Sequence, residues 1–432
     1  MDIGQDNPES GTINGPGLSD PLEGPLSLLK GKKIILTVTG GVAAYKAAAL
    51  ARLMAKAGAL VRVVMTEAGE RFVGTATFSA LTGQPVATDM WARPGSDGSA
   101  AHNVQHVAWA EWADLIVTAP ASADYLAKLA HGLAGDLATT IALAFMGPSL
   151  VAPAMNTGMF LNPATSANLD TLRARGYAIL GSPEGLLACG SVGPGRMAEP
   201  EVIAQGAARI LSGQALKGKN VLVTGGATQE RWDDIRYITN RSSGRMGLAL
   251  AEAAWLMGAQ VTYLAGPAAA VPAFELPDFM VTRAESTADL LAEVKGHLPG
   301  SWALMMNAAP ADFTPAVKVS GKIKKTEGEI PPLVLARTPD ILTEVGPLKG
   351  NCLMVGFAAE EKDLLVRAKE KLARKNLDYI AANQAGGPKS AFGSNTIKLS
   401  LISAKLNHKQ IGPVPKFQAA WTLWQTLIDG WS

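Results

Sequence analysis

Two short apolar runs, each ending in paired glycines, limit what this chain can fold into. The first is Lys33-Ile-Ile-Leu-Thr-Val-Thr39, followed by Gly40-Gly41 and an Ala-rich stretch from Ala43 to Lys56 that Gly58 closes. The second is Asn220-Val-Leu-Val-Thr224, followed by Gly225-Gly226 and, past a polar loop, a stretch from Met246 to Met257 that Gly258 closes. Apolar runs this short, bounded by glycine, read as buried strands. A glycine just past a helical segment reads as its end. Further strands are expected at residues 60–65, 114–118 and 150–151, then at 261–265, 302–306 and 353–357. Helices are expected at 122–131, from the N-cap Ser286 to about His297, and over the charged stretch Glu360 to Lys375. Strands alternating with helices mean a parallel sheet covered on both faces. The expected fold class is α/β, with two Rossmann-like parallel-sheet domains that meet near residues 210–219. Apart from the shared opening the halves show no repetition, which favours two separate domains over an internal duplication. Residues 1–29 have no periodicity and are rich in Gly, Pro, Ser, Asp and Asn, so they read as a disordered leader.

Composition excludes several classes. Charged residues make up 18% of the chain, and the net charge of +2 comes from Lys and Arg spread along it, which leaves no nucleic-acid footprint. Two cysteines, Cys189 and Cys352, are too few and too far apart for a disulfide framework, and a cytoplasmic location is expected. The N-terminus lacks a signal-peptide pattern. Leu137 to Leu169 carries no charge, but Gly147, Pro148, Pro153 and Pro163 interrupt it. It reads as helix, turn, buried strand and loop, and no membrane partner is expected.

Four features of the first half carry chemistry. Gly40-Gly41 reads either as a tight strand–helix connection or as a turn that brings backbone N–H groups to a phosphate. Thr118-Ala-Pro-Ala-Ser-Ala-Asp124 reads either as a simple turn or as a second phosphate or ribityl contact at a strand's carboxyl end. Asn156, in Pro153-Ala-Met-Asn-Thr-Gly-Met-Phe160, either caps a turn or bonds a substrate within an apolar wall. Cys189 lies in a Gly-rich stretch, Ala188 to Met197, unlike a packed core thiol. His106 stands alone and is open to a structural reading. In the second half, Asp233 to Gly247 runs Arg, Asn and hydroxyl residues into a helix N-terminus, an anion site or a capped polar loop. Asp312 falls just past a strand, where a carboxylate can hold Mg²⁺. Lys322-Ile-Lys-Lys325 is either a solvated charge run or a phosphate contact. Lys371 and Lys375, four apart, share a helix face.

These motifs together resemble known families. Gly40 to Lys46, Pro120 to Asp124, Pro153 to Phe160 (with Phe160 where the family has Trp) and Ala188 to Met197 resemble the flavin-dependent decarboxylases that act on phosphopantothenoylcysteine. The resemblance implies a decarboxylase domain at 30–211 and FMN contacts at Gly40, Gly41, Thr66, Ala121, Ser122, Ala123 and Met155. It implies His106 as base, Asn156 as the holder of the substrate carboxylate, and Cys189 as proton donor. Asp233 to Gly247, Ala308 to Phe313, Lys322 to Lys325, Thr338 to Leu342, Gly356 to Glu360 and Arg374 to Asp378 resemble the phosphopantothenate–cysteine ligases. Departures are Thr239 for Ser, Arg245 for Lys, Pro310 for Val and Phe313 for Tyr. This second resemblance implies a ligase domain at 217–432 acting on 4′-phosphopantothenate, L-cysteine and CTP through an acyl-cytidylate. CTP contacts fall at Met306, Asn307, Ala308, Asp312, Lys322, Pro339, Asp340, Ile341, Leu342, Phe357, Lys371 and Lys375, with Mg²⁺ at Asp312. Asp233, Arg236 and Asn240 become substrate contacts, and Asn240 and Lys322 catalytic. Decarboxylase trimers and ligase dimers would build a homo-oligomer of up to twelve subunits. Two other readings are a non-catalytic flavin-binding partner and a nicotinamide-dependent oxidoreductase. Against the first, His106, Asn156 and Cys189 are all present. Against the second, neither half has the dinucleotide glycine pattern with its downstream acid.

Overall fold

A computed structural model describes residues 23–91, 105–186, 192–323, 332–360, 363–384 and 394–431. The first sheet contains β1 (Lys33–Val38), β2 (Leu60–Met65), β3 (Val86–Ala87), β4 (Leu115–Ala121), β5 (Ser149–Pro153) and β6 (Ala178–Ile179). Their spatial order is β3-β2-β1-β4-β5-β6 and every pairing is parallel. Ile34, Ile35, Leu36 and Val38 of β1 are fully buried, as a central strand with helices on both faces requires. The chain winds outward from β1 to β3, then returns to start again at β4. This reversal opens a crevice above the carboxyl ends of β1 and β4, where open α/β sheets bind ligands.

The second sheet repeats that plan. Strands β7 (Asn220–Gly225), β8 (Gln260–Ala265), β9 (Phe279–Arg283), β10 (Ala303–Met306), β11 (Leu353–Glu360) and β12 (Tyr379–Gln384) lie parallel in the order β9-β8-β7-β10-β11-β12. Two antiparallel strands, β13 (Thr396–Ser403) and β14 (His408–Pro415), extend its far edge. The second crevice therefore lies between β7 and β10.

Six helices matter below: α1 (Ala44–Lys56), α2 (Ala123–His131), α3 (Pro200–Leu211), α4 (Arg245–Leu256), α5 (Leu364–Arg374) and α6 (Lys416–Trp431). The sheets are separate but the packing is not. One cluster of buried side chains runs from Met54 and Ile203 through Leu216 to Leu250, Trp255 and Trp424. Arg209 of α3 reinforces this joint. It donates to the carbonyls of Trp255, Ala259 (3.2 Å) and Gly258 (3.3 Å), pairs with Asp278 at 3.1 Å, and lies over the Trp255 ring.

Three expectations need correction. The leader does not extend to residue 29: Pro25–Leu29 is a 3₁₀ turn, and Leu29 is fully buried in the shared core. Glu360 does not start a helix but ends β11, and α5 begins at Leu364. The loop expected after β5 holds two helices, Thr157–Phe160 and Pro163–Ala174. Pro163 breaks no helix here: with Asn162 as cap it occupies the first helical position, where a proline's missing N–H is no loss.

Candidate active sites

In the first half, the two candidate phosphate loops are bonded to each other. Buried Thr39 follows β1. Its hydroxyl donates to the Pro120 carbonyl at 2.7 Å and accepts from the Ser122 N–H at 2.9 Å. Ser122 in turn caps α2, accepting from the Tyr125 N–H at 3.2 Å. Helix α1 follows Ala43 with no side-chain cap; its Ala44 and Lys46 N–H groups donate to the Gly41 and Ala43 carbonyls, both at 2.9 Å, and its N-terminal end still favours an anion. A Cβ on Gly40 would lie 2.5 Å from the Ala68 Cβ, whereas one on Gly41 would meet nothing within 4 Å. Gly40 thus lets the loop pack on the turn at Thr66, and Gly41 faces open space. Thr66 caps the helix Glu67–Glu70, its hydroxyl accepting from the Gly69 N–H at 3.2 Å. Loops, helix ends and open space fit the phosphate tail of a flavin mononucleotide.

Past β5, Met155 and Asn156 make the third wall. Asn156 is exposed and caps the short helix Thr157–Phe160, accepting from the Gly158 N–H at 2.8 Å. Capping is thus part of its role. Gly195 (φ +129°) packs on this turn, where its carbonyl accepts from the Met155 N–H at 2.9 Å. A Cβ at Gly195 would sit 2.3 Å from the Met155 oxygen, so only glycine fits both conformation and space. Gly185–Leu186 pairs antiparallel with Val192–Gly193. Cys189 belongs to the segment between these strands and lies outside the described residues. His106 occupies the first turn of the helix Gln105–Trp112 and is half-buried.

In the second half, two adjoining clefts share Ala308, Pro310 and Phe357. The first, about 660 Å³, lies between the N-terminus of α4 and the β10–β11 side of the crevice. Asn240, Asn307 and Lys371 line it, along with four residues not proposed as contacts from the sequence: Arg241, Arg245, Asn383 and Lys416. Among the described residues, four of its lining side chains are cationic and none is acidic. Helix α4 follows Gly244, which as its N-cap offers no side chain. The second cleft, about 480 Å³, gathers Met306, Ala308, Asp312, Pro339, Asp340, Ile341, Leu342, Phe357 and Lys375.

Ion pairs set the charge balance here. Lys375 pairs with Asp340 at 3.0 Å. Burial pushes the Asp340 carboxyl upward, but Lys375 and the Thr343 N–H more than offset this and hold it below the usual carboxylate range. Lys371 pairs with buried Glu360 at 2.5 Å. The shared helix face expected for these lysines therefore faces carboxylates at the cleft edge. Among the described residues no cluster of three or more acidic, His or Cys side chains could cage a metal. Asp340 is committed to Lys375, which leaves exposed Asp312 as the carboxylate of the second cleft able to reach a phosphate-bound cation.

Asp233, expected as a substrate contact, makes its contacts in this structure with the backbone. It is buried and lines neither cleft. Its carboxylate accepts from the N–H groups of Ile235 (2.8 Å), Arg236 (2.6 Å) and Ile323 (3.2 Å). Burial raises the Asp233 carboxyl, and those three donors and the Arg236 charge outweigh it and hold it low. Arg236 also lines neither cleft, and donates to the Ile323 carbonyl at 3.0 Å. Both side chains are drawn inward to pin the segment that carries exposed Lys322, which itself lines neither cleft. Lys324 and Lys325 lie outside the described residues. Asn240 donates to the Pro310 carbonyl at 2.9 Å, bridging the Arg-Asn-Ser-Ser loop to the wall between the clefts. Asn383 carries a signal in its place near the carboxyl end of a sheet strand. Lys416, at the start of α6, carried no local signal.

Comparison with known proteins agrees with the division into two sheets. A profile described as "Flavoprotein" matches residues 25–212, and one described as "DNA/pantothenate metabolism flavoprotein C-terminal domain" matches residues 216–430. The chain is 41% identical over 390 residues to the coenzyme A biosynthesis bifunctional protein CoaBC of Bacillus subtilis, covering 90% of this chain and 94% of that protein. The Haemophilus influenzae protein of the same name is 40% identical over 405 residues, covering 93% and 98%. That of Escherichia coli is 40% identical over 379 residues, covering 87% and 91%.

Proposed function

The chain belongs to the family of bifunctional coenzyme A biosynthesis proteins, and from that premise we propose how its two halves divide the work. The C-terminal half joins 4′-phosphopantothenate to L-cysteine at the expense of CTP. The N-terminal half then decarboxylates the resulting phosphopantothenoylcysteine to 4′-phosphopantetheine with FMN. The observation that carries the ligase reading is the pair of adjoining clefts. Among the described residues, four cations line one, with Lys371 paired to Glu360 at its edge, and the other gathers most of the nucleotide candidates around Phe357.

A carboxylate accepts an amine only after its oxygen becomes a leaving group. Attack on the nucleotide's α-phosphate makes an acyl-cytidylate, releasing pyrophosphate, and cysteine then displaces CMP. Catalysis of this kind is mostly positioning and charge neutralisation. Arg241, Arg245 and Lys371 supply charge in the first cleft. Asp312 would hold Mg²⁺, which keeps most of its ligands as water and phosphate. Asn240 holds the wall where the two clefts meet.

In the first half, Gly40, Gly41, Thr66, Ala121, Ser122, Ala123 and Met155 would hold FMN. When bound, FMN supplies reversible oxidation of the substrate's thiol end, giving the departing carboxylate's electrons a C=S group to enter. Asn156 orients that carboxylate, His106 serves as base, and Cys189 returns a proton to the product. Exposed Tyr45 in the first turn of α1, and Met159 and Leu161 just past β5, support association between copies, up to the expected twelve. No described helix is long and apolar enough to cross a membrane. The one described cysteine, Cys352, is buried and its thiol is pushed up to about 12 by burial, then by Asp378. Such an inert thiol suits a reducing cytoplasm.

Separate half-reactions test the ligase assignment. Losing a phosphate-facing charge costs about 1.5–3 kcal/mol, against about 0.5–1.5 for a neutral hydrogen bond. With Lys322 at the nucleotide's phosphates, as the resemblance implies although it lines neither cleft in this structure, Lys322→Gln should slow pyrophosphate release from CTP roughly 10- to 100-fold. Asn240→Ala should still release pyrophosphate but transfer the acyl group poorly, so that acyl-CMP is detected by mass spectrometry. The reverse pattern would overturn the two roles.

A further inference from the structure

The segment that follows β10 forms the wall shared by the two clefts, and hydrogen bonds hold it along its length. The Ala308 N–H donates to the Thr224 hydroxyl at 2.9 Å, and the Ala309 N–H to the Gly226 carbonyl at 2.8 Å. Buried Ala311 is gripped from both sides. Its N–H donates to the Thr228 hydroxyl at 2.9 Å, and its carbonyl accepts from the Thr338 hydroxyl at 2.5 Å. The Thr338 N–H then donates to the Asp312 carbonyl at 3.1 Å. Asp312 itself is exposed and lines the second cleft.

What orients Thr228 lies deeper. Thr228, Glu230 and Thr287 are all buried and line neither cleft. Thr287 opens the helix Thr287–His297 and donates to Glu230 Oε1 from its backbone N–H and from its hydroxyl, both at 2.8 Å. Its one hydroxyl proton goes to the carboxylate in preference to the Ala311 carbonyl at 3.4 Å. In the 3.0 Å contact between the two threonine hydroxyls Thr228 is therefore the donor, which leaves its oxygen to accept from Ala311. The bonds run one way, from the Ala311 N–H to the buried carboxylate at a helix N-terminus. Apolar side chains of like size would fill this space without the cost of drying a carboxylate. They could not orient a hydrogen bond.

We propose that Thr228 and Thr338 are positioning residues of the second cleft. Gripping Ala311 from either side, with Thr228 oriented by Thr287 and Glu230, they fix the direction in which Asp312 presents its carboxylate to a cation on the nucleotide's phosphates. This role rests on the ligase reading and on Asp312 as its metal-facing carboxylate. Asp312 follows Ala311 directly, so a small rotation of the Ala311 backbone displaces that carboxylate more than it displaces the wall. A misplacement of about 1 Å can cost about 100-fold in rate.

Calorimetric titration of the full-length protein with CTP in the presence of Mg²⁺ reads the site apart from turnover. Asp312→Asn should bind about 10-fold more weakly than wild type. Thr228→Val keeps the side chain's shape but removes its hydroxyl, and should weaken binding by a similar factor. Thr228→Ser should restore it to within about threefold. In the Asp312→Asn background, Thr228→Val should cost less than about threefold more, because a residue acting through Asp312 has nothing left to position. In steady-state ligation Thr228→Val should raise KM for CTP about 10-fold, while decarboxylation in the other half stays within about threefold. Lost decarboxylation would mark Thr228→Val as misfolded, and the same cycle with Thr338→Val, a half-buried position, then decides by the same thresholds. Wild-type binding by the valine variant would overturn the proposal while leaving Asp312 in its role. So would a loss that multiplies in full with Asp312→Asn, or one that Thr228→Ser does not restore. Asp312→Asn binding as tightly as wild type, or a wild-type chain that neither binds CTP nor releases pyrophosphate from it, would sink the reading of this cleft and the proposal with it.

Discussion

Asn156 shows how one side chain serves both local structure and chemistry. Its Oδ1 accepts the Gly158 N–H and starts a helix, a contact typically worth about 1 kcal/mol. The amide NH₂ of the same group is the donor that a substrate carboxylate needs. Replacement by aspartate separates these jobs, because a carboxylate caps equally well yet repels the substrate's anion. Asn156→Asp should melt within a few degrees of wild type, keep its ligase rate, and release carbon dioxide at least 100-fold more slowly. Asn156→Ala should lose both the cap and the activity. A fully active Asn156→Asp enzyme would reduce Asn156 to a cap. Both the capping and the binding reading were legible in the sequence; the geometry realises the cap, and the binding role remains the proposal that Asn156→Asp tests.

Among the elements, helix α4 carries an unusual load. Its N-terminus opens on the cationic cleft, and its body is packed so closely that a Cβ at Gly247 would come within 2.7 Å of the Gly225 Cα. Glu252, in the middle of α4, is half-buried, and burial pushes its carboxyl up to about 7. Between the ordinary glutamate value and about 7, the folded protein keeps a proton that the unfolded chain has released. Stability therefore falls as pH rises through that window, and the penalty is complete above it. Glu252→Gln should be more stable than wild type at pH 8, by about 1–3 kcal/mol after allowing for partial exposure, with no difference at pH 4. Equal melting differences at both pH values would contradict this. The strands that frame α4 were legible because each is a short apolar run ended by glycine. The cleft's charge was only half legible. Arg241 and Arg245 stand in a motif, but Lys416 reaches the cleft through the order of strands in the sheet and the turn from β14 into α6, which local sequence does not encode. Asp233 and Arg236 show the opposite case. Their motif announces function, whereas the chain turns them inward on Ile323.

At the scale of the whole molecule, two enzymes share one hydrophobic cluster. Arg209 belongs to the first half by sequence, yet its donors serve the carboxyl end of α4 in the second, where a cation also favours the helix dipole. Removing such a charged donor typically costs about 1.5–3 kcal/mol. Arg209→Ala should lower the melting temperature of the full chain and speed proteolytic cutting near residues 212–218, while both catalytic rates stay within threefold. Unchanged stability would mean that the shared apolar core alone joins the halves. The plan of two sheets was legible from the repeated strand and glycine pair. The continuity between them was not, because it depends on Ile203, Leu216, Leu250 and Trp255 meeting across a boundary that reads locally as a linker.

The central claim is that one chain performs two consecutive reactions. Mass analysis of the products tests it most directly. The purified protein, loaded with FMN, is given 4′-phosphopantothenate, L-cysteine, CTP and Mg²⁺. The prediction is 4′-phosphopantetheine with one equivalent each of CMP, pyrophosphate and carbon dioxide. Without CTP no product should form, and Cys189→Ala should still release carbon dioxide but stop before the saturated product. Formation of phosphopantothenoylcysteine with no onward decarboxylation, or no ligation at all, would contradict the account.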